Sequence, residues 1–295
     1  DQTTTTSFAL NNVRVNIKSK NPMPYDPANF VFGYSYSQTQ KKNPETEYET
    51  TKDQRGNFGY SYSPYAKPLQ PFANMKNSAG ARRYLKQFSM NYLPSNISFR
   101  SDMIRNYYEI QLRDLSGSGQ SKLLPSFSET FLWDRQIGIN WNITNNLQFS
   151  YQSNTNARIE TPHVQVNKEL NPDDYQVWKD SVQQSIRNLG TPWTYDQTFN
   201  ATFNIPFQYF PFLDWANGSL TYNAQYNWER GALLESEIQA ELGNTIKNQR
   251  QFNFQGNFNL LSLYNKNLYL RKVNQKFTAA TTQNRHQQTG AGFQR

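Results

Sequence analysis

Over long stretches the chain places an aromatic or aliphatic residue at every second position, and this period of two constrains its fold more than any other feature. Alternate side chains of an extended strand point to opposite faces, so such a stretch builds a wall with one apolar and one polar side. In "FLWDRQIGINWNI" the residues Phe131, Trp133, Ile137, Ile139, Trp141 and Ile143 share one parity, and after Thr144-Asn145-Asn146 the run "LQFSYQS" repeats it with Leu147, Phe149 and Tyr151. The same rule governs Val13, Val15 and Ile17; Phe30, Phe32, Tyr34 and Tyr36; and Phe58, Tyr60 and Tyr62. It continues in Phe88, Met90 and Tyr92; Ile97, Phe99 and Met103; Trp193, Tyr195, Phe199, Phe203 and Ile205; Leu220, Tyr222, Tyr226 and Trp228; and Phe252, Phe254, Phe258 and Leu260. This is an all-β pattern of about ten strands, several about 9–13 residues long, near the length that crosses a bilayer at a tilt.

The opposite parity is almost entirely amide, hydroxyl or glycine: Asn140, Asn142, Gln148, Ser150, Asn200, Thr202, Asn204, Asn223, Gln225 and Asn253. A sheet face exposed to bulk water usually carries Lys and Glu, whereas uncharged polar residues suit the hydrated interior of a wide transmembrane barrel. The expected architecture is therefore an antiparallel β-barrel in a membrane. Phe30, Phe32, Tyr34, Tyr36, Phe58, Tyr60, Tyr62, Trp133, Trp141, Phe149, Tyr151, Phe199, Phe203, Tyr222, Tyr226, Trp228, Phe252 and Phe254 form its lipid face and aromatic girdles. Gly33, Ser35, Gly59, Ser61, Asn140, Asn142, Asn200, Thr202, Asn223 and Gln225 line its lumen.

Composition agrees with a dispersed apolar wall. Mean hydropathy is low, at -0.87, yet 15% of the 295 residues are aromatic, and disordered chains are poor in aromatics. No run of about 18 apolar residues exists, so a spanning helix is excluded while a barrel is not. The chain begins "DQTTTTSF", without the basic start and apolar core of a signal peptide, which suits a mature chain or an internal piece of a longer one.

The hexapeptide "FGYSYS" occurs at 32–37 and again at 58–63. If 38–54 is the connection between two antiparallel strands, the two sets of tyrosines lie at opposite membrane interfaces, with Gly33, Ser35, Gly59 and Ser61 leaving the lumen open. Turns at 94–96, 144–146 and 206–214 fall on one side and longer loops at 113–126, 159–191 and 230–248 on the other, the asymmetry typical of outer-membrane barrels. The 38–54 stretch conflicts with that alternation, because parity puts a long connection on the short-turn side. A strand missed between 63 and 86 would explain it.

The loop "NPDDYQVWKDSVQQSIRNLG" reads as a helix over about 172–189. Asn171 caps it, Pro172 opens it, Asp173 and Asp174 meet the positive end of its dipole, and Gly190 stops it. Tyr175, Trp178, Val182 and Ile186 form one apolar stripe. The stripe either packs on the barrel rim or docks a partner. Residues 261–276 form an amphipathic helix or periplasmic cap after a wall segment spanning 1–260, and 277–295 is an aperiodic tail.

Catalytic and cofactor signals are lacking. The chain has no Cys, and its two His, His163 and His286, have neither ligand spacing nor a nucleophile partner, so neither a metal nor a cofactor is expected. Asp173 and Asp174 fit a helix start better than an acid–base pair. The net charge of +8 is scattered in short clusters, such as Lys41-Lys42, Arg82-Arg83 and Arg271-Lys272, rather than gathered into a nucleic-acid footprint. A soluble β-rich glycan-binding module would concentrate its aromatics in one patch, and here they recur on every strand.

The stretches "YDPANFVFGYSYS", "NPETEYETTKDQRGNFGYSYSP", "NYLPSNISFRSDMIRNYYEIQLRDL", "GTPWTYDQTFNATFNIPF" and "LSLYNKNLYLRKVN" resemble the SprA/Sov family, the outer-membrane translocons of the type IX secretion system that also serve gliding motility. The resemblance covers most of the chain except the tail after about residue 277. It implies a bacterial outer-membrane location and a non-enzymatic role in a very large single-chain barrel. That barrel would hold a wide protein-conducting pore, bind plug and cargo-shuttle proteins, and pass folded cargo that carries a C-terminal signal. Family members are several times longer, so this chain would supply a segment of the wall. A porin or nutrient-transporter barrel is the alternative in the same membrane.

Overall fold

The alternating segments become consecutive strands of one antiparallel sheet. In a computed structural model of the chain, the structure describes residues 1–17, 20, 22–76, 81–114, 123–166, 168, 171–210, 212–231 and 243–276. Nine strands follow the chain in order: β1 Gln2–Val13, β2 Phe30–Lys42, β3 Thr46–Tyr62, β4 Asn96–Leu112, β5 Ser126–Asn142, β6 Leu147–Arg158, β7 Thr191–Ile205, β8 Ala216–Glu229 and β9 Thr245–Phe258. Each strand pairs with its sequence neighbours, giving the order β1 to β9 without a crossover. Among the described residues β1 and β9 pair on one side only, so the sheet is open.

Three sequence expectations change. The 38–54 stretch is not a connection: β2 runs on to Lys42 and β3 starts at Thr46, with Asn43 Oδ1 accepting from the backbone N–H of Glu45 (3.0 Å) and Thr46 (2.6 Å) to hold a tight turn. The run at 88–93 is not a strand. Helix α1, Ala81–Gln87, precedes it, and Met90 makes only isolated bridges to Leu69 and Thr144. Pro94-Ser95-Asn96 is consequently no hairpin: Pro94 and Ser95 end a connection from β3 to β4 over 63–95, and Asn96 begins β4. Strand count falls from about ten to nine, the parity conflict disappears without a missed strand, and so does the loop-length asymmetry. Long connections occur at both ends of the sheet.

β1 begins earlier than the sequence suggests and ends at Val13, so Val15 and Ile17 lie outside it. A register shift between Leu10 and Val13, with Asn12 at φ 53°, inserts an extra residue. That bulge returns Val13 to the face of Phe8 and Leu10.

Helix α2, Pro172–Arg187, lies close to the expected span, with Pro172 at its start and Asp173 and Asp174 in its first turn. Asn171 does not cap it with its side chain; its carbonyl instead accepts from the Tyr175 N–H at 3.1 Å. Leu189 (φ 61°) and Gly190 (φ 68°) turn left-handed in succession, and the Gly190 N–H closes the helix on the Ser185 carbonyl at 2.8 Å. The expected 261–276 helix divides into α3, Leu260–Tyr264, and a second helical stretch at 268–276, separated by a turn. The 277–295 tail lies outside the described residues.

The principal core is small and sits on one face of the sheet under α2. Trp133, Ile159 and Val182 are buried together, with Met103, Phe131, Trp178 and Ile186 packed around them.

Candidate functional site

Strand register sorts the side chains into two faces. Phe30 pairs with Tyr60 and Phe32 with Phe58; Tyr60 pairs with Phe99, Phe99 with Ile137, Ile139 with Tyr151, Tyr151 with Phe199, Ala201 with Tyr222, and Tyr222 with Phe252. Tyr34, Tyr36, Tyr62, Trp133, Trp141, Phe149, Phe203, Tyr226, Trp228 and Phe254 share that parity, so all these aromatics occupy one face. Their rings meet across strands: Phe149 and Phe199 are 4.7 Å apart edge to face, Phe199 and Tyr222 are 5.8 Å apart, and Tyr222 and Phe252 are 4.7 Å apart. Such contacts between facing side chains are what hold neighbouring strands in register.

The other face carries Gly33, Ser35, Gly59, Ser61, Asn140, Asn142, Asn200, Thr202, Asn223 and Gln225. Across β5 to β9 one continuous row reads Asn140, Ser150, Asn200, Asn223, Gln251 and the next reads Asn142, Gln148, Thr202, Thr221, Asn253. Charge is concentrated elsewhere on this face. Asp53, Arg55, Arg100, Asp102 and Asp134 lie on β3 to β5, where Arg100 Nε bonds Asp102 Oδ2 at 2.7 Å and Asp102 stands opposite Asp134.

Two placements correct the sequence reading in detail. Gly33 does not leave its surroundings empty: it is buried, because the Asn57 side chain lies over it, and a Cβ there would come 2.4 Å from Asn57 Oδ1. Trp133 is on the aromatic face but does not look outward. Val182 of α2 packs on it, leaving it 8% exposed, while its Nε1 donates to Ser101 Oγ at 2.8 Å.

The aromatic face changes character along the strands. Towards the end bearing the 143–146 and 206–215 connections it is apolar: Ile97, Phe99, Met103, Ile137, Ile139, Phe149, Tyr151, Phe199, Phe203, Leu220, Tyr222. On β4 the band runs from Ile97 to Met103, roughly 20 Å at about 3.4 Å per residue. β3, β4 and β5, at 17 residues each, continue well past it. One charge lies within the band: Arg135 stands opposite Ser101, between Phe99 and Met103, with its guanidinium 4.6 Å from the Trp133 ring. Beyond the band the same parity carries Lys52, Arg105, Tyr107, Glu109 and Glu129.

There the connection between β6 and β7 is latched onto the sheet. Arg105 Nε and Glu129 Oε1 form an ion pair at 2.5 Å with both side chains largely buried. Trp178 of α2 donates its Nε1–H to Glu129 Oε2 at 2.9 Å, and the Arg105 guanidinium lies 4.5 Å from the Trp178 ring. Glu109 accepts from Tyr48 Oη (2.7 Å), Tyr107 Oη (2.8 Å) and Gln165 Nε2 (2.6 Å), the last from the loop before α2. The α2 stripe is therefore engaged within the chain: Trp178, Val182 and Ile186 pack on β4 and β5, and Tyr175 stacks on Trp178 at 5.8 Å. Of its two readings, packing on the sheet is the one observed, and the stripe does not offer a free docking face. Arg105, Glu109 and Glu129 are not legible as a set in the sequence, although they interrupt the apolar alternation in three successive rows of the β4–β5 pair, opposite Phe131, Phe127 and Tyr107 respectively.

At the opposite end, connections fold back over the aromatics. Tyr60 and Tyr62 donate their hydroxyls to the carbonyls of Pro24 (3.0 Å) and Pro22 (3.3 Å), and Trp141 donates its Nε1–H to the Asn91 carbonyl (2.9 Å). On the polar side Asn146, Asn204, Asn217, Ser219, Gln255 and Asn257 border an uncharged hollow of about 380 Å³. His163 stacks on Phe127 with ring centroids 4.4 Å apart. Among the described residues no group of acidic and histidine side chains is arranged to hold a metal, and no helix is long and apolar enough to cross a membrane.

Compared with known proteins, the chain matches no family model and no curated protein. The geometry must carry the functional reading.

Proposed function

We propose that this chain is part of the wall of a wide β-barrel in a bacterial outer membrane, a protein-conducting channel of the SprA/Sov kind in which it has a structural and non-enzymatic role. One observation carries the reading: nine strands form an open meander with one face largely apolar over a band of roughly 20 Å on β4 and the other lined by amides and hydroxyls across β5 to β9. An outward apolar band about 25 Å tall and a polar interior are what a transmembrane barrel requires. A barrel also has no free edges. The edges of β1 and β9 are then joined by further strands of the same wall, and the uncharged amide and hydroxyl rows of β5 to β9 let folded cargo pass without strong attachment, beside the charged patch of β3 to β5. Plug and cargo-shuttle proteins, and cargo with a C-terminal signal, are the partners of such a channel. The latched end, where the strands outrun the apolar band, stands in water beyond the bilayer.

The chain has no Cys, which makes single-cysteine labelling clean. In membranes containing the complete polypeptide, a membrane-impermeant maleimide should label Asn140→Cys, Asn200→Cys and Asn223→Cys but not Ile139→Cys, Phe199→Cys or Tyr222→Cys. Equal labelling of both sets, or a chain that stays monomeric without detergent, overturns the membrane reading. Plug-free channels in liposomes should pass solutes of folded-protein size. A small cut-off would assign the barrel to a porin or nutrient transporter instead.

A further inference from the structure

The segment 259–276 turns its apolar side chains outward. Leu260, Leu261, Leu268 and Tyr269 are 66%, 63%, 65% and 74% exposed, although the sheet against which a surface helix would normally bury them is adjacent. Every charge in the segment is positive: Lys266, Arg271, Lys272 and Lys276, the last three exposed. Its position is held. The Asn259 N–H donates to the Trp215 carbonyl at 2.7 Å, Asn259 Oδ1 caps α3 by accepting from the Ser262 N–H at 3.0 Å, and Lys266 pairs with Asp214. It leaves the sheet directly after Phe254 and Phe258, whose exposed rings continue the apolar band to the very end of β9.

From this juxtaposition we infer that 259–276 is an interfacial anchor for anionic phospholipid, lying on the bilayer surface at the lower margin of the wall. The inference rests on the membrane reading above and adds to it a lipid headgroup preference. Leucine and tyrosine enter the boundary between headgroups and acyl chains, while Arg271, Lys272 and Lys276 extend their stems along that boundary and set their cationic ends against phosphate. A basic segment beside a membrane gathers acidic lipid in this way. The absence of any carboxylate between 259 and 276 removes what would repel it. A protein partner has no comparable support, since nothing in the segment offers it a matching acidic or shaped contact, whereas the neighbouring apolar band already sets the segment at a bilayer margin.

The test uses the complete polypeptide with an environment-sensitive fluorophore on Leu268→Cys, and a reference probe on Phe254→Cys within the band. It is reconstituted into phosphatidylcholine vesicles with and without phosphatidylglycerol. The expected result is a blue-shifted 268 probe, quenched by headgroup-region nitroxide lipid, in the phosphatidylglycerol vesicles. The shift should be lost in pure phosphatidylcholine and in the R271Q/K272Q/K276Q variant, while the 254 probe stays blue-shifted throughout and reports that the wall is intact. A 268 probe in water in both vesicles with the 254 probe still buried overturns the anchor and leaves the membrane reading standing. Both probes in water overturn both. A 268 shift equal in the two lipids, or present before vesicles are added, also overturns the proposal, the latter by showing that protein covers the segment.

Discussion

Phe32 and Phe58 face each other across the β2–β3 pair with ring centroids 5.3 Å apart, and each is the first residue of an "FGYSYS" copy. Because the strands are antiparallel, the copies diverge from this contact: Tyr34 and Tyr36 ascend towards the 43–45 turn, and Tyr60 and Tyr62 descend towards the other end. Tyr36 pairs with Gln54, and from 54 to 62 is eight residues, so Tyr36 and Tyr62 are about 27 Å apart along the strand. The duplication therefore opens outward from a shared aromatic contact. From the sequence both copies are expected at strand ends; 58–62 does end β3, whereas 32–37 lies within a longer β2.

Phe58 also lies 6.1 Å from Phe30 and 6.0 Å from Phe99. If its face meets lipid, Phe58→Arg should cost about 2–4 kcal/mol near the bilayer midplane. Asn57→Arg, one residue away on the polar face, should cost much less. Urea-dependent folding into phospholipid vesicles reads both, and equal penalties would refute the assignment of faces.

Glu129 is the hub of the latch, bonded to Arg105 and to Trp178. Glu129→Ala strands a buried guanidinium, and breaking such a pair costs about 3–5 kcal/mol when nothing relaxes. Here the helix can lift, so the expected outcome is release of α2: protease cleavage in 159–166 and fast amide exchange over Pro172–Arg187, with the sheet unchanged. The double variant R105M/E129L should keep more of the docking than Glu129→Ala alone.

Consecutive left-handed residues end α2, and only one of them is glycine. Gly190→Ala should destabilise that end by about 1–2 kcal/mol through its backbone conformation, with further crowding because the new Cβ would sit 3.0 Å from the Arg158 carbonyl. Leu189→Gly should be neutral or favourable, since it relieves the same kind of strain at φ 61°. Thermal melting of α2, followed by amide exchange, distinguishes the two.

At Gly33 the obstacle to a side chain is itself a side chain. Gly33→Ala should cost about 1–3 kcal/mol by overpacking against Asn57. Asn57→Ala should recover most of that loss, because it removes the Cγ, Oδ1 and Nδ2 atoms within 3 Å of the added methyl group. A double-mutant cycle in denaturant gives the coupling, and a value near zero would show that Asn57 moves aside freely.

Local pattern determined a great deal about this protein. Alternation in "FLWDRQIGINWNI", in "NATFNI" and around both "FGYSYS" copies assigns each side chain to a face, because the pleat places successive residues on opposite sides wherever the strand lies. Helix α2 was equally legible, since Pro172, the two aspartates, the 3-4 stripe and Gly190 act within a few turns of one another. Strand limits were not. "QTQKK" and "TEYETTKDQ" look like loop by composition, yet they are strand, because each finds a partner strand that satisfies its backbone and because their polar side chains stand beyond the apolar band. "FSMNYL" shows the converse: it alternates, but its neighbours are already paired, so it contributes only bridges through Met90. Whether Trp133 meets lipid or lies beneath a helix, whether Glu129 is a stray charge or the hub of a latch, and whether Gly33 opens a space or receives Asn57 were decided only in three dimensions. Each depends on which distant segment comes to rest on a face, and strand period carries no information about that.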